Sequence, residues 1–298
     1  MDLQLPDDVP EYKPKRVVSI LSGSRCGSTL LKHAISLHPE LISLAGEEEP
    51  YYKLSLNGYP FHEDDSFRNE NDRFDLRHVN LIKRLITCEL YGTEKQSWYN
   101  RRLLQWHNIE EPPFVATPWN EYATIDTSDW SSSSDTIVMK TPQNSYRPKI
   151  FEHLWNLEPE QVANIRIVRK PEATINGLLD GWTSRDFIAR RTERGWWKFD
   201  MPPGWQWDTL IERCIHQYRS AKDAISKHET PLICTVTYED LIQDWYSVCC
   251  DVWSLLGLPY VSKDKLPTGE LPKLSVTDEP KPQRWVDKRP WLEELLRW

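Results

Sequence analysis

Long apolar runs are missing from these 298 residues. No stretch approaches the roughly 18–20 consecutive apolar residues that a membrane-spanning helix needs, and the opening Met-Asp-Leu-Gln-Leu-Pro-Asp-Asp has no apolar signal-peptide core. Both point to a cytoplasmic protein that does not engage a membrane. The cysteines (Cys26, Cys88, Cys214, Cys234, Cys249 and Cys250) include no C-x-x-C pair, which removes the commonest zinc spacing and leaves thiols in a reducing compartment. Basic charge is also short. The 37 Lys and Arg against 45 Asp and Glu give a net charge of −8, which argues against a general nucleic-acid binder. Any anionic ligand therefore needs a local basic pocket. No internal repeat is present, and the chain reads as one domain spanning residues 1–298.

What the chain does have is concentrated in residues 19–39. A β-branched strand, 16–21, runs into a small-residue loop with one arginine, Ser22-Gly23-Ser24-Arg25-Cys26-Gly27-Ser28-Thr29, and a helix opens directly from it. Loops of this kind hold phosphates: Gly23 and Gly27 are expected to let the backbone curl so that successive N–H groups face one anion, and Ser28 and Thr29 add hydroxyls at the positive end of the helix dipole. The P-loop of nucleotide triphosphatases, G-x-x-x-x-G-K-[ST], does not fit. Gly23 and Gly27 are one residue too close, and no lysine stands between Gly27 and Ser28; the cation is Arg25, inside the loop.

Strand and helix patterns alternate along the rest of the chain. The expected pairs are strand 16–21 with helix 29–37, strand 136–140 with helix 147–156, strand 164–169 with helix 172–179, and strand 231–238 with helix 240–256, the last closed by Gly257-Leu258-Pro259. Such alternation predicts an α/β fold with a central parallel sheet, flanking helices and a ligand at the carboxyl ends of the strands. The loop, Lys140 and Arg169 all fall at those ends. Two stretches break the pattern and read as loop insertions over the active-site mouth: the polar, acidic residues 57–76, and the tryptophan-, glycine- and proline-rich residues 180–208.

The arginine-bearing loop resembles the 5′-phosphosulfate loop of sulfotransferases that use 3′-phosphoadenosine-5′-phosphosulfate (PAPS), usually Pro-Arg-Ser-Gly-Thr-Thr-Leu-Leu. Arg25, Gly27, Thr29, Leu30 and Leu31 match; Ser24, Cys26 and Ser28 depart. Further blocks follow in the family's order. They are Ser36-Leu37-His38-Pro39 with Gly46-Glu47-Glu48, Lys140-Thr141-Pro142, Asn164 to Pro171, Val236-Thr237-Tyr238-Glu239-Asp240-Leu241, and Arg284-Trp285. The resemblance, strongest to the bacterial and tyrosylprotein branch, implies a P-loop-like sulfotransferase fold and a PAPS donor with 3′-phosphoadenosine-5′-phosphate (PAP) as product. It implies no metal requirement.

It also implies site residues. Ser24, Arg25, Cys26, Gly27, Ser28 and Thr29 would hold the 5′-phosphosulfate, Arg169 and Arg284 the 3′-phosphate, and Tyr238 the adenine side. Gly177 stands where the family has a serine at the 3′-phosphate, so Thr174 or Asn176 would have to supply that contact, or the helix N-terminus would do more of the binding. Arg25 and Lys140 would neutralise charge on the transferring group. The base falls in the run Glu47-Glu48-Glu49, with Glu48 at the matching position. A histidine base shortly after the lysine strand, as in the cytosolic branch, is disfavoured because Gln143 and Asn144 follow Pro142. His38 reads as a helix-end residue.

The acceptor is expected to be a small molecule. Trp182, Trp196, Trp197, Trp205 and Trp207 crowd the second insertion, and aromatic faces favour flat or cationic guests, so a cationic secondary metabolite such as a guanidinium alkaloid comes first. Two other classes stay open: a P-loop kinase or NTP-binding enzyme, and a non-catalytic nucleotide-binding module.

Overall fold

The computed structural model describes residues 12–44, 48, seven positions between 79 and 90, 135–146, 149–183, 207–227, 231–266 and 283–297. The expected insertion at 57–76 and most of that at 180–208, including the side chains of all five tryptophans named above, lie outside the described residues.

Five strands, β1 (Arg16–Leu21), β2 (Leu41–Ser43), β3 (Thr136–Met139), β4 (Val162–Val168) and β5 (Leu232–Thr237), form one sheet in the order β2-β3-β1-β4-β5. Every pairing is parallel. β1 is central because its Val-Val-Ser-Ile-Leu run is buried on both faces, as a parallel strand covered by helices must be. Val17 faces a core with Met139, Phe151 and Trp155, whereas Val18 and Ile20 face another with Leu30, Leu31 and Trp253. Val79, Ile82, Ile86 and Leu90, at helical spacing, join the first core. β1 pairs with β3 on one side and β4 on the other, so the crossovers diverge there and leave a crevice at the strands' carboxyl ends.

The helices are α1 (Ser28–Ile35), α2 (Ile150–Trp155), α3 (Pro171–Thr183), α4 (Trp207–Ser226), α5 (Tyr238–Gln243), α6 (Trp245–Leu255), α7 (Arg284–Lys288) and α8 (Leu292–Leu295). α1 stops short of residue 37 because Leu37 and His38 donate to Ala34 and Ile35 carbonyls, tightening its last turn. The single helix expected over 240–256 is two. Asp244 leaves helical geometry at φ −146° and its carboxylate accepts from the Ser247 N–H, an N-cap that restarts the helix. α2 ends at Asn156, which adopts the left-handed conformation. Sequence patterning missed the three-residue edge strand β2 and the long α4, which buries Cys214, Ala221 and Ile225. Among the described residues no helix is long and apolar enough to cross a membrane.

Trp253 ties α6 to α1: its indole N–H donates to the Ile35 carbonyl at 2.9 Å and its ring meets His38 edge-on at 5.2 Å. Trp253→Ala should lower unfolding free energy by about 3–5 kcal/mol, read as a lower urea midpoint with unchanged slope.

Candidate functional site

The loop between β1 and α1 is anchored at its base. Ser22 donates its N–H to Ser145 Oγ at 2.7 Å, and the Ser145 hydroxyl donates to the Ser22 carbonyl at 2.9 Å. Ser145 belongs to a 3-10 turn, Pro142–Tyr146, just after β3. The loop's bend is made by Arg25 (φ 67°) and Gly27 (φ 90°), not by Gly23 and Gly27 as expected. Gly23 is needed for space, since a Cβ there would lie 3.2 Å from Ala221 Cβ. A side chain in the left-handed region costs about 1–2 kcal/mol, so Arg25 stores strain that its surroundings must hold. Gly27 is the N-cap of α1 and supplies no side-chain cap, which leaves the first-turn N–H groups facing the crevice without intrahelical partners. The Cys26 side chain is buried against Thr174, its sulfur 3.8 Å from Oγ1. Burial pushes its thiol above the ordinary value, against the hydrogen bond from Thr174 and the charge of Arg169. It is therefore an anchor to α3.

The expected 3′-phosphate residues gather beside that bend. Arg25 Nε donates to the Gly177 carbonyl at 3.2 Å, and a Cβ on Gly177 would come within 3.3 Å of Arg25 Cβ. Gly177 thus leaves room for Arg25 where it crosses α3. Thr174 faces Cys26, and Asn176 Oδ1 accepts from Arg289 Nη1. Arg169 donates to the Arg25 carbonyl at 3.1 Å, and its guanidinium lies 4.1 Å from the centre of the Tyr238 ring. Tyr238 is buried against Gly27. Burial raises its hydroxyl, and the charges of Arg169 and Arg284 oppose that rise.

On the other side of the loop, Lys140 follows directly after β3 and is 2% exposed. Its ammonium donates to Thr29 Oγ1 at 2.7 Å, and its main-chain N–H donates to Glu48 Oε2 at 3.1 Å. Glu48 is fully buried, and Asn144 Nδ2 donates to its Oε1 at 2.5 Å. Three adjacent glutamates look like a solvated loop, yet the middle one is inside. Glu47 and Glu49 lie outside the described residues. Lys32, also buried, donates to the Leu44 carbonyl at 2.6 Å. Next to it, burial, with the charges of Lys32 and Lys140, lowers His33 to about 3. His38 accepts from the Glu40 N–H at Nδ1 and donates from Nε2 to the Pro259 carbonyl at 2.9 Å, a structural role as expected.

Sequence reasoning missed Ser145, Lys32 and Arg289, and it used Asn144 only to set aside a histidine base. Arg289 pairs with Asp180 at 2.8 Å, and Lys288 with the same carboxylate at 3.3 Å. Burial works to raise Asp180, but these two partners outweigh it and hold the carboxyl below its ordinary value. The basic run Lys288-Arg289 beside the matched Arg284 was the available signal.

No protein-family model matches the chain, and no curated protein matches it. Solved structures similar to it include the sulfotransferase domain of the Synechococcus PCC 7002 olefin synthase, at 19% identity over 88% of this chain and 78% of that one, TM-score 0.44. The sulfotransferase domain from the curacin biosynthetic pathway is similar at 17% identity over 84% and 76%, TM-score 0.44. A sulfotransferase from Alicyclobacillus acidocaldarius is similar at 14% over 95% and 91%, TM-score 0.41. All three are sulfotransferases.

The His33 shift has a sign that can be tested. The unfolded chain takes up a proton below about pH 6.5 and the folded one only near pH 3, so stability is full above pH 6.5 and falls as the pH drops through that window. Between pH 7 and pH 5 the loss from this residue is about 2 kcal/mol. His33→Gln should flatten the pH dependence of urea unfolding by that amount.

Proposed function

We propose that this chain is a sulfotransferase that moves a sulfuryl group from PAPS to a hydroxyl or amine of a small-molecule acceptor. The observation that carries the reading is the double use of Lys140. Its main chain holds a buried carboxylate while its side chain reaches the hydroxyl of Thr29 in the first turn of α1, directly after the loop. In this reading Glu48 serves as base and Lys140 as cation at one edge of a loop whose other edge carries Arg25 and Arg169.

In this reading the acceptor oxygen or nitrogen bonds to sulfur, the sulfur–oxygen bond to the 5′-phosphate breaks, the acceptor's proton passes to Glu48, and PAP leaves. The residues of the chain do what sulfuryl transfer asks, which is mainly positioning and charge neutralisation. Arg25 and the N–H groups of residues 24–29 face the 5′-phosphate. Lys140 sits where negative charge develops, and its hydrogen bond to Thr29 aims it. Arg169, held flat on Tyr238, and Arg284 suit a 3′-phosphate.

A magnesium-dependent phosphotransferase would instead place an acid at the strand end beside the loop; here the ends of β3 and β4 lead into Lys140 and Arg169. A non-catalytic module would have no need to bury Glu48 beside that lysine. The reading includes a cytoplasmic setting, no nucleic-acid or membrane partner and no metal. A cationic secondary metabolite such as a guanidinium alkaloid is the first acceptor class, because of the tryptophans in residues 180–208.

PAP should raise the melting temperature more than ATP does, since ATP lacks a 3′-phosphate. Ligand at about 100 times its dissociation constant adds about 2.7 kcal/mol. Equal shifts with both nucleotides would contradict the PAPS assignment. Two substitutions separate chemistry from binding. Lys140→Ala should lower kcat by about 10²–10³-fold with PAP affinity largely kept, whereas Arg169→Ala should weaken PAP affinity measured by calorimetry.

A further inference from the structure

We infer that Asn144 is a positioning residue for Glu48: its side-chain amide fixes the plane of the buried carboxylate so that Glu48 can take the acceptor's proton. The inference rests on the reading of Glu48 as the base, and it goes beyond it by naming what holds that base in place.

Each carboxylate oxygen of Glu48 accepts from a different donor, Oε1 from Asn144 Nδ2 and Oε2 from the Lys140 N–H. One donor would leave the group free to rotate about its last torsion, but two on opposite oxygens set its plane. Each oxygen keeps a further lone pair for the acceptor. The amide orientation follows from chemistry, because only the NH₂ end can face a carboxylate.

Asn144 is itself rigid. It is fully buried, its own N–H donates to the Thr141 carbonyl at 3.1 Å, and the next residue, Ser145, is bonded twice to Ser22 at the base of the loop. The same 3-10 turn therefore registers the carboxylate and the phosphate loop against each other. Among the charged and titratable groups of the described residues, Lys140 at the end of β3 touches this carboxylate through its main-chain N–H, and Lys140 acts in turn on His33 beside Lys32 on α1. Asn144 adds a neutral donor among them, which steadies the ionised form without adding charge.

The test measures transfer of label from ³⁵S-PAPS, across pH, to water and to the best acceptor from a panel of phenols, alcohols, amines and guanidines. It compares wild type, Glu48→Gln, Asn144→Ala and Asn144→Asp. Misplacing a reacting group by about 1 Å costs about 10²-fold, so Asn144→Ala should lose about that much in kcat with PAP affinity and acceptor KM nearly unchanged. Its acid limb should also move to higher pH, because a donor to the charged form is gone.

Asn144→Asp keeps the shape and guards against a variant that fails to fold. It sets a second carboxylate against Oε1, and since two such groups share a proton, its acid limb should move up further than that of Asn144→Ala. If Glu48→Gln is crippled while both Asn144 variants keep wild-type kcat and acid limb, the inference fails and the base assignment stands. If Glu48→Gln turns over like wild type, the base assignment fails and takes the inference with it.

Discussion

No methyl group can be added at Gly27. Its Cβ would meet the Tyr238 ring at 2.9 Å from Cε2 and closer still to Cδ2, and its φ of 90° already disfavours any side chain. This contact between a glycine at the start of α1 and the first residue of α5 is what the rest of the site is built around. Because the ring lies on the loop, Arg169 can lie on the ring, and from there it donates to the carbonyl of Arg25, the other left-handed residue of the bend. Arg25 in turn crosses α3 at Gly177. Two glycines thus make room for one aromatic ring and one arginine, and the strained loop is held by groups from β4, α3 and α5 at once.

The opposite edge of the loop solves a different problem. Lys32, Lys140, His33 and Glu48 are all nearly or fully out of water, and a buried charge is costly unless it is hydrogen-bonded. Each has its own remedy. Lys32 donates to a backbone carbonyl, Lys140 to the Thr29 hydroxyl in the first turn of α1, and Glu48 accepts from one main-chain and one side-chain N–H. His33 stays neutral. The bonds that answer these costs are the same ones that join α1, the end of β3 and Glu48, so solvation and the geometry of the candidate site are one constraint.

Much of the frame was readable from residues alone. β1, β3 and β4 come from largely buried β-branched runs and β5 from a more exposed one at the sheet edge, and the loop comes from its small residues, its arginine and the helix that follows. What could not be read depends on distant partners or on local competition. Glu48 is buried because Lys140 and Asn144, more than ninety positions later, reach it. A left-handed arginine leaves no trace in a sequence, so the bend was credited to Gly23. Asp244 sits inside an apolar helical pattern and breaks it only because its carboxylate caps the next helix. Gly177 looked like a lost phosphate ligand, and in the structure it leaves room for Arg25 where it crosses α3.

The central claim is that the two edges of the loop together serve sulfuryl transfer. The most direct measurement is the fate of label in ³⁵S-PAPS incubated with the protein, EDTA and the acceptor panel, alongside a parallel incubation with γ-³²P-ATP and magnesium. The account predicts that ³⁵S moves to an acceptor, that EDTA leaves the rate essentially unchanged and that ATP is not consumed. Label remaining in PAPS across the panel while ATP is turned over would contradict it.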